Sequence, residues 1–233
     1  MKRLVIVGCG ADVLSSNKKD FIDSADLVVR VNNFKIKEYE DFVGTKTDIY
    51  SCAPKFMKSI DKTEEERIKG CVDRFEEECK NFPTLKDHKE QYIKIYTHPE
   101  IDSSKMKEVI LSYLPGNTII KAQQELHPND KFPFEYLPFS SKIKIANFGT
   151  TFQHTTGWRT IRYCVKNYED HEIFITGFDF FLKSGWYWDV GSPWTKQHTN
   201  QTGATDIEHA FHLENKLLQQ MVDNGQVSYI YKV

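Results

Sequence analysis

The β-branched run at residues 3–7, stopped by Gly8-Cys9-Gly10, constrains this chain more than any other feature. A run so short and apolar is too brief for a helix and too greasy for an exposed strand. It predicts a buried strand feeding a tight turn at the start of an α/β domain. The rhythm repeats at residues 27–31 and, after the turn Val43-Gly44-Thr45-Lys46, at residues 47–50. Three strands in fifty residues predict a wound parallel sheet. Residues 61–80 and 103–114 read as amphipathic helices, the second ending before Pro115-Gly116, and residues 115–141 as an irregular, lid-like segment. Regular signals return with a strand at 142–146, a helix from about 156 to 165 and a strand at 172–176 ending on Gly177-Phe178. The capping box Thr205-Asp206-Ile207-Glu208 then announces a helix, with Ile207, Ala210, Phe211, Leu217, Leu218 and Met221 at helical spacing. Residues 227–231 close as a strand. No internal repeat is present. The expectation is one α/β domain over residues 1–233, a Rossmann-like parallel sheet flanked by helices, with a variable region at about 56–144.

Charge narrows the partners. With 31 Lys+Arg against 33 Asp+Glu the net charge is −2, which gives no basic field for nucleic acid or anionic lipid. No stretch approaches the roughly 18 apolar residues of a membrane span, and MKRLVIVGCG lacks the apolar core of a signal peptide. Five cysteines, without a CxxC pair, suit a reduced protein. A cytoplasmic location, or a peripheral one at the inner face of a membrane, is expected.

Gly8-Cys9-Gly10 alone is a weak nucleotide signal, because a dinucleotide fingerprint wants a third glycine where Val13 stands. A nicotinamide oxidoreductase is disfavoured, yet small residues after a strand still let a phosphate or ribose approach the backbone. Metal-dependent glycosyltransferases carry an Asp-x-Asp pair, and no two aspartates here lie two apart. Glu76 and Glu78 do, within a charged, solvated helix.

The cluster Ile22-Asp23-Ser24-Ala25-Asp26, Arg30-Val31-Asn32-Asn33 and Val43-Gly44-Thr45-Lys46-Thr47-Asp48 resembles the large sialyl motif of eukaryote-type sialyltransferases. Thr155-Thr156-Gly157 with Thr176-Gly177-Phe178 resembles the small motif, and His209 with Glu214 the very small one. Arg30, Asn32, Thr156, Gly157, Gly177, Asp179, Phe180 and His209 are also similar to the pattern of bacterial cytoplasmic sialyltransferases. The resemblance covers roughly residues 1–55 and 145–231. It implies the sialyltransferase variant of the GT-A glycosyltransferase fold and an inverting, metal-independent transfer from a CMP-activated sugar acid to a glycan. His209 is then the general base, with His212 as its alternative, favoured as neutral imidazole by a helix N-terminus. Gly8, Cys9, Gly10, Asp12, Asn32, Ser51, Thr155, Thr156, Gly157, Gly177, Phe178, Asp179 and Tyr187 are expected at the nucleotide or donor. Tyr187 and His198 are phosphate-contact candidates, and Glu214 and Arg30 give structural support.

Departures accompany the matches. The two cysteines that pair in the luminal family are replaced near Leu4 and Asp170. Asp12 stands where that family has asparagine, and a carboxylate there must face ribose or base instead of phosphate. Phe181 has lost one of a tyrosine pair, and Trp186-Tyr187-Trp188-Asp189 matches the third motif loosely, without its histidine. The implied partners are a nucleotide-sugar donor, with sialic acid or Kdo as the sugar, and an oligosaccharide or glycolipid acceptor of lipopolysaccharide or capsule type. No metal or other cofactor is expected. Two other readings stay open: a methyltransferase or reductase on a wound sheet, and a carbohydrate-binding protein without turnover.

Overall fold

A computed structural model describes residues 1–57, 59–81, 83–112, 143–146, 154–179, 186–188 and 211–230. Its strands are β1 (Lys2–Val7), β2 (Leu27–Val31), β3 (Ile49–Cys52), β4 (Glu108–Ser112), β5 (Ile143–Ala146), β6 (His171–Thr176) and β7 (Ser228–Tyr229). They form a sheet in the order β5-β4-β3-β2-β1-β6-β7, with every pairing parallel. The α/β parallel-sheet expectation therefore holds. The helices are α1 (Lys19–Asp23), α2 (Glu40–Val43), α3 (Pro54–Met57), α4 (Glu64–Asn81), α5 (Lys89–Tyr96), α6 (Thr156–Asn167) and α7 (Phe211–Asp223).

The continuous apolar runs make sense in a sheet covered on both sides. Alternate residues of β1 divide between two cores. Leu4 and Ile6 join Val29, Ile49 and Ile110 beneath Trp158, Ile161 and Cys164 of α6 and Leu218 and Met221 of α7. Val5 and Val7 face the other way, onto Ile22, Val28, Val43 and Ile230. Further along that second face, Tyr50, Cys52, Val109 and Leu111 pack against Phe34, Met57 and Ile101. Helix α4 starts on a capping box, Thr63 Oγ1 accepting from Glu66 N (3.2 Å) while Glu66 Oε2 accepts from Thr63 N (2.8 Å).

One expectation is corrected. Residues 103–114 read as a helix, but residues 103–105 turn and 108–112 form β4, an interior strand of the sheet. Val109, Ile110 and Leu111 are each fully buried, Ile110 on one face of the sheet and its neighbours on the other. Burial on two faces requires an unbroken apolar run, which periodicity cannot separate from a buried helix turn. The lid-like segment at 115–141 and the capping box at Thr205 lie outside the described residues.

Candidate functional site

The order of the strands creates the site. From β1 the sheet grows outward through β2, β3 and β4 to β5, and β6 then returns to the opposite side of β1. Where the winding reverses, wound sheets take their ligands outside the carboxyl ends of the two adjacent strands. Here those ends are Val7 and Thr176, the last partners in the β1–β6 register.

Two glycines let the loops touch. Gly8 N donates to Thr176 O and Gly10 N to Gly177 O, each at 2.8 Å. A Cβ on Gly8 would stand 2.3 Å from Gly177 O, and one on Gly177, whose φ is +76°, would stand 2.6 Å from Gly8 O. Neither position accepts a side chain. At Gly10 a Cβ would lie 2.7 Å from Asp179 Oδ1 and 2.9 Å from Asp12 Oδ1, so both carboxylates look at the bare face of this glycine.

Asp12 opens the short 3-10 helix Ala11–Ser15. Its Oδ2 accepts from Gly177 N at 3.3 Å, whereas its Oδ1 is buried without a partner. Burial, then the charge of Asp179, pushes the Asp12 carboxyl up to about 6. A pair of carboxylates in this position repels a phosphodiester and suits the hydroxyls of a ribose.

The segment 186–188 lies against the same turn. Trp186 bridges to Gly10 and Tyr187 N donates to Cys9 O at 3.1 Å. Trp186 and Trp188 stack with parallel rings 6.0 Å apart. The Tyr187 hydroxyl accepts from Lys35 N at 2.8 Å and donates to Lys35 O. Tyr187 is buried, so this phosphate-contact candidate is here a clasp on the backbone beyond β2. Cys9 turns its thiol inward to Val31 O at 3.2 Å, and burial pushes that thiol up to about 12.

A second arm of the site is the start of α6. Thr155 caps it, its Oγ1 accepting from Trp158 N at 3.1 Å, which leaves the amides of Thr156 and Gly157 in the orphan positions of a first turn. Glu214 reaches across from α7 and is fully buried. Its carboxylate accepts from Thr155 N and Thr155 Oγ1, both at 2.7 Å. Burial outweighs these bonds and pushes Glu214 up to about 7. Phe178 is buried and fills the space beside Gly157, where a Cβ would meet its ring at 2.8 Å.

Several motif residues turn out to brace the scaffold. Asp23 accepts from Thr45 N (2.7 Å), Thr45 Oγ1 (2.9 Å) and Lys46 N (2.9 Å), which fixes the turn after Gly44. Arg30, fully buried, donates to Lys46 O (3.0 Å), Thr47 Oγ1 (2.9 Å) and Val43 O (2.8 Å). These bonds tie β2 to the turn before β3. Asn32, at φ +50°, ends β2 and accepts from Ala53 N through Oδ1 at 3.1 Å. Ser51 is fully buried, with its hydroxyl 2.6 Å from that of Thr160. It ties β3 to α6.

His209 and His198 lie outside the described residues, as do His212's side chain and Phe181. His154 was missed, although it immediately precedes Thr155; its Nδ1 is 3.1 Å from Glu214 Oε1. Lys35 and Thr160 were also missed, since their roles come from partners far away in sequence. No group of three or more His, Cys, Asp or Glu among the described residues is placed to hold a metal ion. Nor is any described helix long and apolar enough to cross a membrane.

Comparison with known proteins finds one family model that matches part of the chain. Residues 1–90 match the family model described as glycosyltransferase family 29 (sialyltransferase), in agreement with the motif resemblance. No curated protein sequence matches the chain. Among solved structures it is similar to a mammalian sialyltransferase in complex with Gal-beta-1-3GalNAc-ortho-nitrophenol. That likeness has 15% identity and a TM-score of 0.49, over 98% of this chain and 69% of the other. It is also similar to a point variant of the sialyltransferase CST-II in complex with CMP. There the identity is 12% and the TM-score 0.49, over 98% of this chain and 80% of that one.

Proposed function

We propose that this chain, similar over residues 1–90 to the sialyltransferases of glycosyltransferase family 29, transfers a sugar acid from a CMP-activated donor to a glycan hydroxyl with inversion. One observation carries the reading: the matched residues 1–90 include the Gly8–Gly10 turn that meets Gly177 at the carboxyl ends of β1 and β6. That position is of the kind that takes a nucleotide in wound sheets. Asp12 and Asp179 would receive the ribose, and the open amides of Thr156 and Gly157 the phosphate.

In this reading His209 accepts the proton of the acceptor hydroxyl. The freed oxygen forms a bond to the anomeric carbon on the face opposite the phosphate, the bond from that carbon to the phosphate oxygen breaks, and CMP leaves with the electron pair. A phosphate monoester is a good leaving group, so donors around it and a base suffice, and a metal ion is not needed. Glu214, five residues after His209, holds the start of α7 to the cap of α6 and so serves as a positioning residue.

The test is CMP release from CMP-sialic acid and CMP-Kdo in parallel, with EDTA present and galactose-, glucose- and heptose-terminated acceptors. Acceptor-dependent release from one donor is expected, which also chooses between the two sugars. His209→Ala should abolish release while CMP still binds. No release from either donor, together with no binding of CMP, overturns the reading and favours another nucleotide ligand such as S-adenosylmethionine or NAD.

A further inference from the structure

Two cations near the carboxyl ends of β1 and β6 are poorly matched by carboxylates. Arg67, on α4, is only 8% exposed. Its Nη1 donates to Lys62 O at 2.9 Å, and its Nε is buried with no acceptor. The carboxylate within reach, Glu100, stands 3.9 Å from Nη2 and is 81% exposed. An ion pair that long and wet offsets little of the cost of burying a guanidinium. Lys35 is half-buried, donates from Nζ to Thr97 O at 2.8 Å, and has no carboxylate partner among the described residues. Burial, reinforced by the charge of Arg67, lowers the Lys35 ammonium to about 8.

Both cations border one short segment, Lys35 at Thr97 and Arg67 at Glu100. The segment is anchored, since Thr97 Oγ1 donates to Ile93 O at 2.6 Å. It also adjoins the site: Tyr96 packs edge-on against Trp186, which bridges to Gly10. The clasp of Tyr187 holds the backbone of Lys35 at the same place. An oxyanion seated between the two side chains would compensate both charges, which a water at Arg67 Nε would not.

We propose that Lys35 and Arg67 form an anion subsite beside the donor site that receives a carboxylate or phosphate carried by the acceptor, so that the enzyme extends a glycan that is already acidic. The inference rests on the glycosyltransferase reading. It adds to that reading a substrate class set by residues outside the recognised motifs.

The experiment measures CMP release from CMP-sialic acid with three acceptors: a neutral galactosyl oligosaccharide, the same oligosaccharide ending in sialic acid, and the same carrying galactose 6-phosphate. At least a tenfold lower KM is expected for one acidic acceptor, the sialylated one if the group is a carboxylate and the phosphorylated one if it is a phosphate. Arg67→Gln and Lys35→Gln should each raise that KM fivefold or more, while CMP affinity by calorimetry moves less than twofold. The half-exposed Lys35 variant should melt like the native chain and guards against misfolding at Arg67. Equal KM for neutral and acidic acceptors, or variants that weaken CMP as much as the acceptor, overturns the subsite. Should the chain neither bind CMP nor release it, the functional reading fails separately. Calorimetric binding of sialyllactose and galactose 6-phosphate to the native chain then decides the subsite, and no binding overturns it.

Discussion

Glu214 shows how one buried side chain joins two helices and a titration. It accepts two bonds from Thr155 and lies beside His154, with no exposure to solvent. Replacing it by alanine strands those donors and should cost about 2–4 kcal/mol in a urea melt, whereas Glu214→Gln, which can still accept, should cost less than about 1 kcal/mol. Burial raises its carboxyl from 4.5 to about 7, so the folded state holds a proton that the unfolded state has lost. Stability from this group is complete below pH 4.5 and disappears as pH rises through 7, and Glu214→Gln should flatten that decline. Asp12, raised from 3.8 to about 6, acts in the same sense at lower pH. Asp12→Asn should therefore stabilise the chain by about 1–2 kcal/mol at pH 8 and leave it unchanged at pH 4, as read from paired denaturation curves. At this scale the sequence showed the glycine turn, Asp12 and the Thr155 cap, because each is defined by its immediate neighbours. It did not show that the Ser51 hydroxyl is spent on Thr160, or the Tyr187 hydroxyl on Lys35, since those partners lie 109 and 152 positions away.

At the scale of elements, the amphipathic helices and the strands closed by glycine turns were legible, while β4 was not. Its apolar run follows Ser103-Ser104-Lys105, a polar lead that reads equally as a helix start. The decision belongs to the sheet: Ile110 pairs with Ser51 on β3 and Lys144 on β5 and buries its side chain completely. Ile110→Ala should accordingly cost about 2–5 kcal/mol, measurable as a lower midpoint in chemical denaturation with an unchanged slope. An exposed position on a surface helix would lose only a few tenths of that. Asp23 and Arg30 make a similar point about the large motif. Much of its pattern encodes the bracing between β2 and β3.

For the whole molecule, the α/β class was legible because parallel strands buried on both faces announce themselves as unbroken apolar runs. Strand order was not, because β4 and β5 fall in a stretch without recognised motifs. The order matters for ligand binding, since the candidate site draws on loops from both ends of the chain. A nucleotide seated there binds only the folded state. CMP at a hundred times its Kd should then add about 2.7 kcal/mol and raise the melting temperature by roughly 5–10 °C, a shift read by differential scanning fluorimetry.

The pairing of β1 with β6 also sets a schedule for biosynthesis. Lys2 meets Asp170 across 168 positions, so β1 waits for β6 before its second edge is covered. Loop closure over that separation is slow, and until it happens a growing chain presents β1 as a bare hydrophobic edge, open to pairing with other chains. The contact between the Gly8–Gly10 turn and Gly177 exists only after that edge is sealed. A CMP analogue would thus stay unbound by ribosome-stalled chains that end before residue 171 and would mark the moment at which β6 has joined β1.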